Sequence, residues 1–262
     1  GLLAKGLYYM AWLRAHGVPM ASGVRPVRAE GEARVTGLVY RQGSRQRRVD
    51  CDALGYGLSL RSETQLASLA GCQFIFNARD RAWTPRLDAA GRSSVAGVYV
   101  AGDGAGIGGA DAAELAGERA ALALLEDAGH AVSVARAREL EARLAANGRV
   151  RDALERAFPF PEDWAAAIAD DTVVCRCEEV TAGTLRAVIH GTGARELNRL
   201  KALTRVGMGR CQGRMCGAGA AEVLAHACGA GLDGVGRLRG QPPVKPIPVD
   251  IVCLDRTEKD AP

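Results

Sequence analysis

Val174-Cys175-Arg176-Cys177-Glu178-Glu179-Val180-Thr181 and, further along, Gly207-Met208-Gly209-Arg210-Cys211-Gln212-Gly213-Arg214-Met215-Cys216 hold four of the chain's eight cysteines. They fall into two tight pairs, C-x-C and C-x-x-x-x-C. In a chain of 262 residues such pairs look like ligand spacing in a reducing compartment rather than a secreted disulfide scaffold. The residues around them read as helices: Thr181 to Ile189 closed by Gly191, Glu196 to Val206 closed by Gly207, and Ala220 to Cys228 closed by Gly229. Residues 169–230 are therefore expected to form a small all-α unit built around the cysteines.

Four thiolates on two loops can hold a 2Fe-2S cluster, and Cys175, Cys177, Cys211 and Cys216 are the expected ligands. Cys177 lies just before the helix that Thr181 would cap, and Cys216 just before a glycine-rich helix start, so both helix N-termini could face an anionic group. Between the pairs Arg199, Lys201, Arg205, Arg210 and Arg214 run without an intervening acid, which suits a negatively charged centre. Gly207, Gly209, Gly213 and Gly217 would let the backbone approach sulfur. Three other readings stand beside this one. Structural zinc also uses four cysteines, usually as C-x-x-C; Cys211 and Cys216 have the spacing of a redox dithiol; and buried free thiols need no ligand, a reading that also fits Cys51, Cys72 and Cys253. His226 and Cys228 could substitute as ligands, although a helix face suits both.

Working outward, residues 130–168 are strongly helical and charged, with Leu140 and Leu144, then Val150 and Leu154, at i,i+4 spacing. They read as a connecting arm that Phe158-Pro159-Phe160-Pro161 stops. Residues 231–262 read as a tail whose Gln241 to Pro248 stretch favours polyproline II. Upstream, Val35 to Tyr40 and Arg47 to Leu54 read as a hairpin turning at Gly43-Ser44, and Leu66 to Leu69 as helix. Gly97-Val98-Tyr99-Val100-Ala101 has a buried-strand pattern and feeds a glycine turn, Gly102 to Gly109, before a helix that Asp111 would cap with Glu114 completing a capping box. Gly104-Ala105-Gly106-Ile107-Gly108-Gly109 is a literal G-x-G-x-x-G. It is rejected as an independent NAD site because Val132-Ser133-Val134 leads into helix, where that fingerprint needs a second strand ending in an acid.

Composition sets the outer limits. At 48% hydrophobic and 24% charged the chain can bury a substantial core. The net charge of +4 is spread along the length, so no nucleic-acid partner is expected. The apolar opening is broken by Lys5 and Arg14, and no transmembrane segment is expected. Opening on Gly1 in a helical pattern, the chain reads as the C-terminal part of something longer, in the cytoplasm or at the periphery of the inner membrane.

The two cysteine strings together closely resemble the bacterioferritin-associated-ferredoxin-like 2Fe-2S domain, in the version found in alpha subunits of opine oxidases, D-hydroxyproline and proline dehydrogenases and hydrogen cyanide synthase. Ser93-Ser94-Val95-Ala96-Gly97-Val98-Tyr99-Val100-Ala101-Gly102-Asp103 resembles the second FAD signature of the two-dinucleotide-binding-domain flavoproteins. That resemblance implies that Asp103 bonds the ribityl chain and that Gly102, Gly104, Gly109 and Ala110 bring backbone to the flavin and pyrophosphate. The first FAD half is expected to lie outside this chain, with residues 1–59 resembling an inserted nucleotide-binding domain. The implied fold is α/β over residues 1–129, a partial two-dinucleotide-binding-domain flavoprotein, plus a small all-α iron-sulfur domain. The implied cofactors are a 2Fe-2S cluster and FAD. The implied role is electron transfer in a heteromeric dehydrogenase, beside a flavin-containing beta subunit that oxidises an amine, amino acid or opine. No residue is expected to be a catalytic acid or base. A self-contained NAD(P)H reductase of the nitrite-reductase type and a non-enzymatic ferredoxin-like binding module are the alternatives.

Overall fold

A computed structural model describes residues 2–57, 60–161, 164–244 and 247–248. The chain forms two compact units, residues 1–58 and 59–262. The division falls at the end of the first sheet rather than at residue 129, because the elements from residue 60 onward share contacts with the cysteine-bearing helices.

The first unit opens with α1 (Leu2–Ala15) and continues as a three-stranded antiparallel sheet, β1 (Val24–Glu30), β2 (Gly37–Gln42) and β3 (Arg45–Asp50), in the order β1-β2-β3. The expected hairpin is β2 and β3. Gln42 pairs with Arg45, so Gly43-Ser44 is a two-residue turn, and Gly43 takes the positive φ of +59° that such turns need. Strand β1 has no counterpart in the sequence reading. Its Pro26 cannot donate to a ladder, which is tolerated on an edge strand, and the register shifts just there, between Pro26 and Arg28. No described helix is long and apolar enough to cross a membrane.

The second unit begins with α2 (Gln65–Leu69), the expected short helix, and an antiparallel pair, β4 (Phe74–Asn77) and β5 (Ala82–Pro85). Gly97 to Ala101 is not the buried strand its pattern suggested. It is half-buried and joins residues 87–93 through the single bridge Arg92 to Tyr99, with Val100 N–H donating to Gly91 O at 2.9 Å. Among the described residues no parallel strand lies beside it, so the β-branched run has no ladder to complete. A 3-10 turn at Gly102–Gly104 leads into α3 (Ala110–Asp127). The cap of α3 is Gly109, at φ +88°, and Asp111 sits inside the first turn, where its carboxylate complements the helix dipole instead of capping.

Helix α4 (Val134–Ala157) is capped by Ser133, whose Oγ accepts from Arg136 N–H at 3.3 Å, and it ends at Phe158 before the prolines. It is not a free arm. Leu140 and Ala137 are buried against α3, Arg119 donates to Glu141 at 2.8 Å, and Arg136 forks onto Glu118 at 2.6 Å. Val150 and Leu154 remain exposed, so the i,i+4 pattern buries only its first half.

Around the cysteines the chain adds α5 (Trp164–Ala167), the short pair β6 (Val173–Cys175) and β7 (Val180–Thr181), then α6 (Ala182–Thr192), α7 (Leu197–Thr204) and α8 (Gly217–Cys228). Thr181 caps α6 through Thr184 N–H at 3.1 Å, and Glu196 caps α7 through Arg199 N–H at 2.9 Å. Two helix ends differ from expectation. Gly191 lies within α6, which Gly193 closes, and α7 ends on Arg205 in the left-handed region, before Gly207. Leu185, Leu197, Leu200, Val206, Val223 and Leu224 form the core, each worth roughly 1.5–3 kcal/mol on burial. Val235 belongs to the same core, and its carbonyl accepts from Leu197 N–H at 3.0 Å. The unit therefore runs past residue 230. The polyproline stretch lies partly outside the described residues; its start docks instead of trailing, with Gln241 Oε1 accepting from Lys201 at 3.4 Å and Val244 O from Arg214 at 2.9 Å.

One surface network ties the 88–100 segment to the end of α3. Arg92 donates to Asp127 at 2.7 Å and Glu126 at 2.8 Å, and Tyr99 Oη donates to Asp127 at 2.6 Å. The bonds from Arg92, then Tyr99, hold the Asp127 carboxyl down at about 2. A depressed carboxyl stabilises the fold above its unfolded pKa of about 3.9, and that contribution disappears as pH falls toward the folded value. Replacing Arg92 with Ala should therefore shrink the loss of stability between about pH 4 and pH 2, measured by urea denaturation across that range.

Candidate functional site

Cys175 ends β6 and Cys177 lies in the turn to β7, and the loop between α7 and α8 carries Cys211 and Cys216. The fold brings all four onto one hollow, lined by these cysteines with Arg176, Arg210 and Met215. Cys175 and Cys216 are buried with their thiols in hydrogen-bond contact, while Cys177 is exposed and its thiol meets that of the half-buried Cys211. Among the described residues no three His, Cys, Asp or Glu side chains converge as a single metal ion requires. Two pairs are a grouping that suits two irons with two thiolates each. Cys228 stands apart, donating to Ala194 O at 3.5 Å, and His226 is exposed, so both have helix-face roles. Cys72 is buried away from the hollow.

The two loops tune their thiols in opposite directions. Burial pushes the Cys216 thiol up to about 12, and the neighbouring Cys175 adds to the rise. Burial also opposes ionisation of Cys211, but the amides of Met215 and Gly213, the Cys177 thiol and the Arg214 amide all point at its sulfur and bring its pKa below the usual thiol value. Those amides converge because Gln212 and Gly213 both take positive φ, at +51° and +81°, which folds the backbone into an anion-facing nest. Cys216 itself occupies the cap position of α8. A buried thiol such as Cys216 ionises only against strong positive charge, which a bound metal supplies. The donor set thus fits a cluster.

The basic run does less than its sequence suggested. Arg205 donates to Glu178 at 2.8 Å, Arg214 to Glu63 at 2.6 Å, and Lys201 is buried against Gln241. Arg199 lies exposed on α7. Only Arg210 of that run lines the thiol hollow, joined by Arg176. Residues two apart on a helix point to opposite sides, so a linear stretch of cations cannot surround one point.

The glycine turn forms a second hollow, of about 210 Å³, lined by Gly102, Asp103 and Ala105 to Gly108 with Arg79, Leu144, Asn147 and Arg151. Gly102, Gly106 and Gly109 take φ of +65°, +143° and +88°. Because Gly109 offers no capping side chain, the first-turn amides of α3 from Ala110 onward are left without a side-chain partner. A Cβ at Gly108 would lie 2.8 Å from that of Ala112, so this part of the turn tolerates no side chain. Asp103 is exposed beside the hollow, and Gly104 packs under the turn against Glu63 O and Val100. Such a turn fits close approach of a phosphate or polyol to backbone. After α3 the chain enters α4 rather than a second strand, the arrangement on which rejection of a separate NAD fingerprint rested.

The family model for the BFD-like [2Fe-2S] binding domain matches residues 173–226, a span that holds both cysteine loops. Residues 173–226 thus match a BFD-like [2Fe-2S] binding domain. Over 249 residues, 93% of this chain and 49% of the relative, the sequence is 35% identical to an opine oxidase subunit of Agrobacterium tumefaciens (strain Ach5). Over 260 residues, 94% of this chain and 55% of the relative, it is 33% identical to the hydrogen cyanide synthase subunit HcnB of Pseudomonas aeruginosa PAO1. The chain spans about half the length of the curated relatives it matches. The crystal structure of L-proline dehydrogenase from P. horikoshii superposes with a TM-score of 0.71 over 95% of this chain and 48% of that one, at 22% identity, a likeness of fold. The resemblance carried by the cysteine strings and the mixed α/β plus iron-sulfur fold class are thus both found.

What the sequence reading missed in the BFD-like domain is its support. Ideal Cβ atoms built on Gly207, Gly213 and Gly217 would approach Leu238 Cδ1 to 2.8, 2.5 and 3.0 Å, so this leucine is seated in a glycine-lined cradle beneath the cysteine loop. A Cβ on Gly209 would fall 2.1 Å from Cys177 Cβ, so the two loops meet backbone to side chain there. Gln65 Nε2 donates to Gln212 O at 2.6 Å from outside the domain. Leu238 and Gln65 are far from the cysteines in sequence, so no local spacing signals them. Gly209→Ala should therefore keep a native far-UV spectrum while losing most of its iron and sulfide after reconstitution. Leu238→Ala should cost about 2 kcal/mol of stability, read by chemical denaturation.

Proposed function

We propose that this chain is the cluster-bearing part of an electron-transferring subunit in a heteromeric flavin dehydrogenase that oxidises an amine, amino acid or opine. The observation that carries the reading is the meeting of four thiols, in two pairs, within a domain of the 2Fe-2S type. Its setting supports it, since relatives over most of the chain are subunits of oxidases or synthases. Cys175, Cys177, Cys211 and Cys216 would hold the cluster. Asp103 would accept from ribityl hydroxyls of FAD, while Gly102, Gly104, Gly109 and Ala110 would let backbone reach the flavin and its pyrophosphate, the rest of that pocket coming from outside this chain.

When bound, the cluster supplies one-electron acceptance and donation, and the flavin links this to two-electron chemistry. The protein's own residues set where that happens. Cys175 and Cys216 are sunk in the helical core and fix the inner edge, which limits water access on that side. Cys177 and Met215 are exposed, so the outer edge is at the surface, where a partner's redox centre can approach. Arg176 and Arg210 flank it and would offset the cluster's negative charge. A flavin-containing beta subunit carrying the substrate site is the partner this arrangement calls for.

Reconstituted anaerobically with ferrous iron and sulfide, the chain should bind about two irons and two sulfides. Cys211→Ser should lose most of both, whereas Cys72→Ser should retain them. In the assembled oxidoreductase Asp103→Ala should lower FAD occupancy and leave iron unchanged. Stoichiometric zinc without sulfide would overturn the reading.

A further inference from the structure

Behind the cysteine loop lies a cavity of about 270 Å³ that neither the cluster nor the flavin turn uses. Its walls come from two directions: the segment from Arg61 through the β4–β5 pair on one side, and α8 with the chain around Arg237 and Leu238 on the other. Phe76, Trp83, Leu197 and Leu238 give it an apolar surface, and the rings of Phe76 and Trp83 meet edge to face with centroids 5.7 Å apart.

Its polar groups are out of balance. Arg61 lines the cavity and makes no hydrogen bond or direct ion pair among the described residues; Glu222, which Arg81 holds, acts on it only through space. Arg237 also lines it, held over the Phe74 ring at 3.7 Å and donating to Ser68 Oγ at 3.0 Å, with no carboxylate partner among the described residues. The nearby acids are already engaged, Glu63 by Arg214 and Glu222 by Arg81. Three further wall atoms, Ser62 Oγ, Gln65 Oε1 and Trp83 Nε1, are shut off from solvent without a hydrogen-bond partner. A buried orphan of this kind is destabilising, because it has lost its hydrogen bonds to water without replacement. Native folds keep few of them, and three on one wall point to a ligand that small side-chain rotations would let them meet.

We propose that this cavity binds a small organic anion, a flat apolar body bearing one carboxylate or phosphate, with the anionic head on Arg61 and Arg237 and the body against Phe76 and Trp83. The cations without acidic partners select the charge, the aromatic and leucine walls select the body, and the orphaned donor and acceptors supply orientation. The lining includes none of the four cysteines and none of residues 102–109.

The test is calorimetric titration of the full chain with benzoate, with phenyl phosphate and with neutral benzyl alcohol, paired with tryptophan fluorescence. One-site saturable binding of either anion, with benzyl alcohol much weaker, is the expected result, and the better of the two identifies the head group. Arg61→Ala should weaken it about tenfold or more, the effect of one charge-assisted contact, and Trp83→Phe should weaken it more modestly with the circular dichroism spectrum unchanged. The proposal is overturned if neither anion saturates below about 10 mM, if benzyl alcohol binds as well as benzoate, or if Arg61→Ala binds like the parent chain.

Discussion

Four thiols can stand within reach of one another only because the loop from Gly207 to Gly217 has no side chain where its neighbours come closest. At Gly209 that neighbour is Cys177, and at Gly207, Gly213 and Gly217 it is Leu238. The rest of the cysteine-bearing unit is arranged around this steric constraint. The α6–α8 core holds the two loops at a fixed separation, the left-handed end at Arg205 turns the chain into the second of them, and Val235 anchors the segment that delivers Leu238.

That constraint also joins the cysteine domain to the α/β part of the second unit. Gln65 bonds the Gln212 carbonyl, Glu63 holds Arg214, and Arg81 from the β4–β5 turn forks onto the buried Glu222 of α8 at 2.9 Å. Breaking a buried pair of the last kind leaves an uncompensated charge inside the protein, so such contacts specify how two surfaces meet more than they add net stability. The same contacts build the walls of the cavity behind the cysteine loop.

Electrostatics at the thiols is likewise a product of backbone geometry more than of side-chain charge. The Cys211 sulfur is favoured as an anion by amides turned toward it, while two of the four arginines that seemed to surround the site, Arg205 and Arg214, are committed to carboxylates. A local run of cations is a weak guide to a local field, because helix and turn geometry disperses consecutive side chains.

What the sequence determined by itself was whatever depends on short spacing and residue type. The C-x-C and C-x-x-x-x-C strings, the Thr181 cap, the Gly43-Ser44 turn and the glycine turn before α3 all report interactions within a few residues, so they were legible without a fold. What only the tertiary structure decided was whatever depends on distant partners. Gly97 to Ala101 has the composition of a strand but no ladder beside it among the described residues, α4 packs on α3 instead of standing free, and Leu238 reaches back to a loop more than twenty residues earlier. Burial and hydrogen-bond pairing are properties of the whole chain's packing, so the support beneath the cysteines, and the arginines without acidic partners behind them, became visible only once the chain was folded.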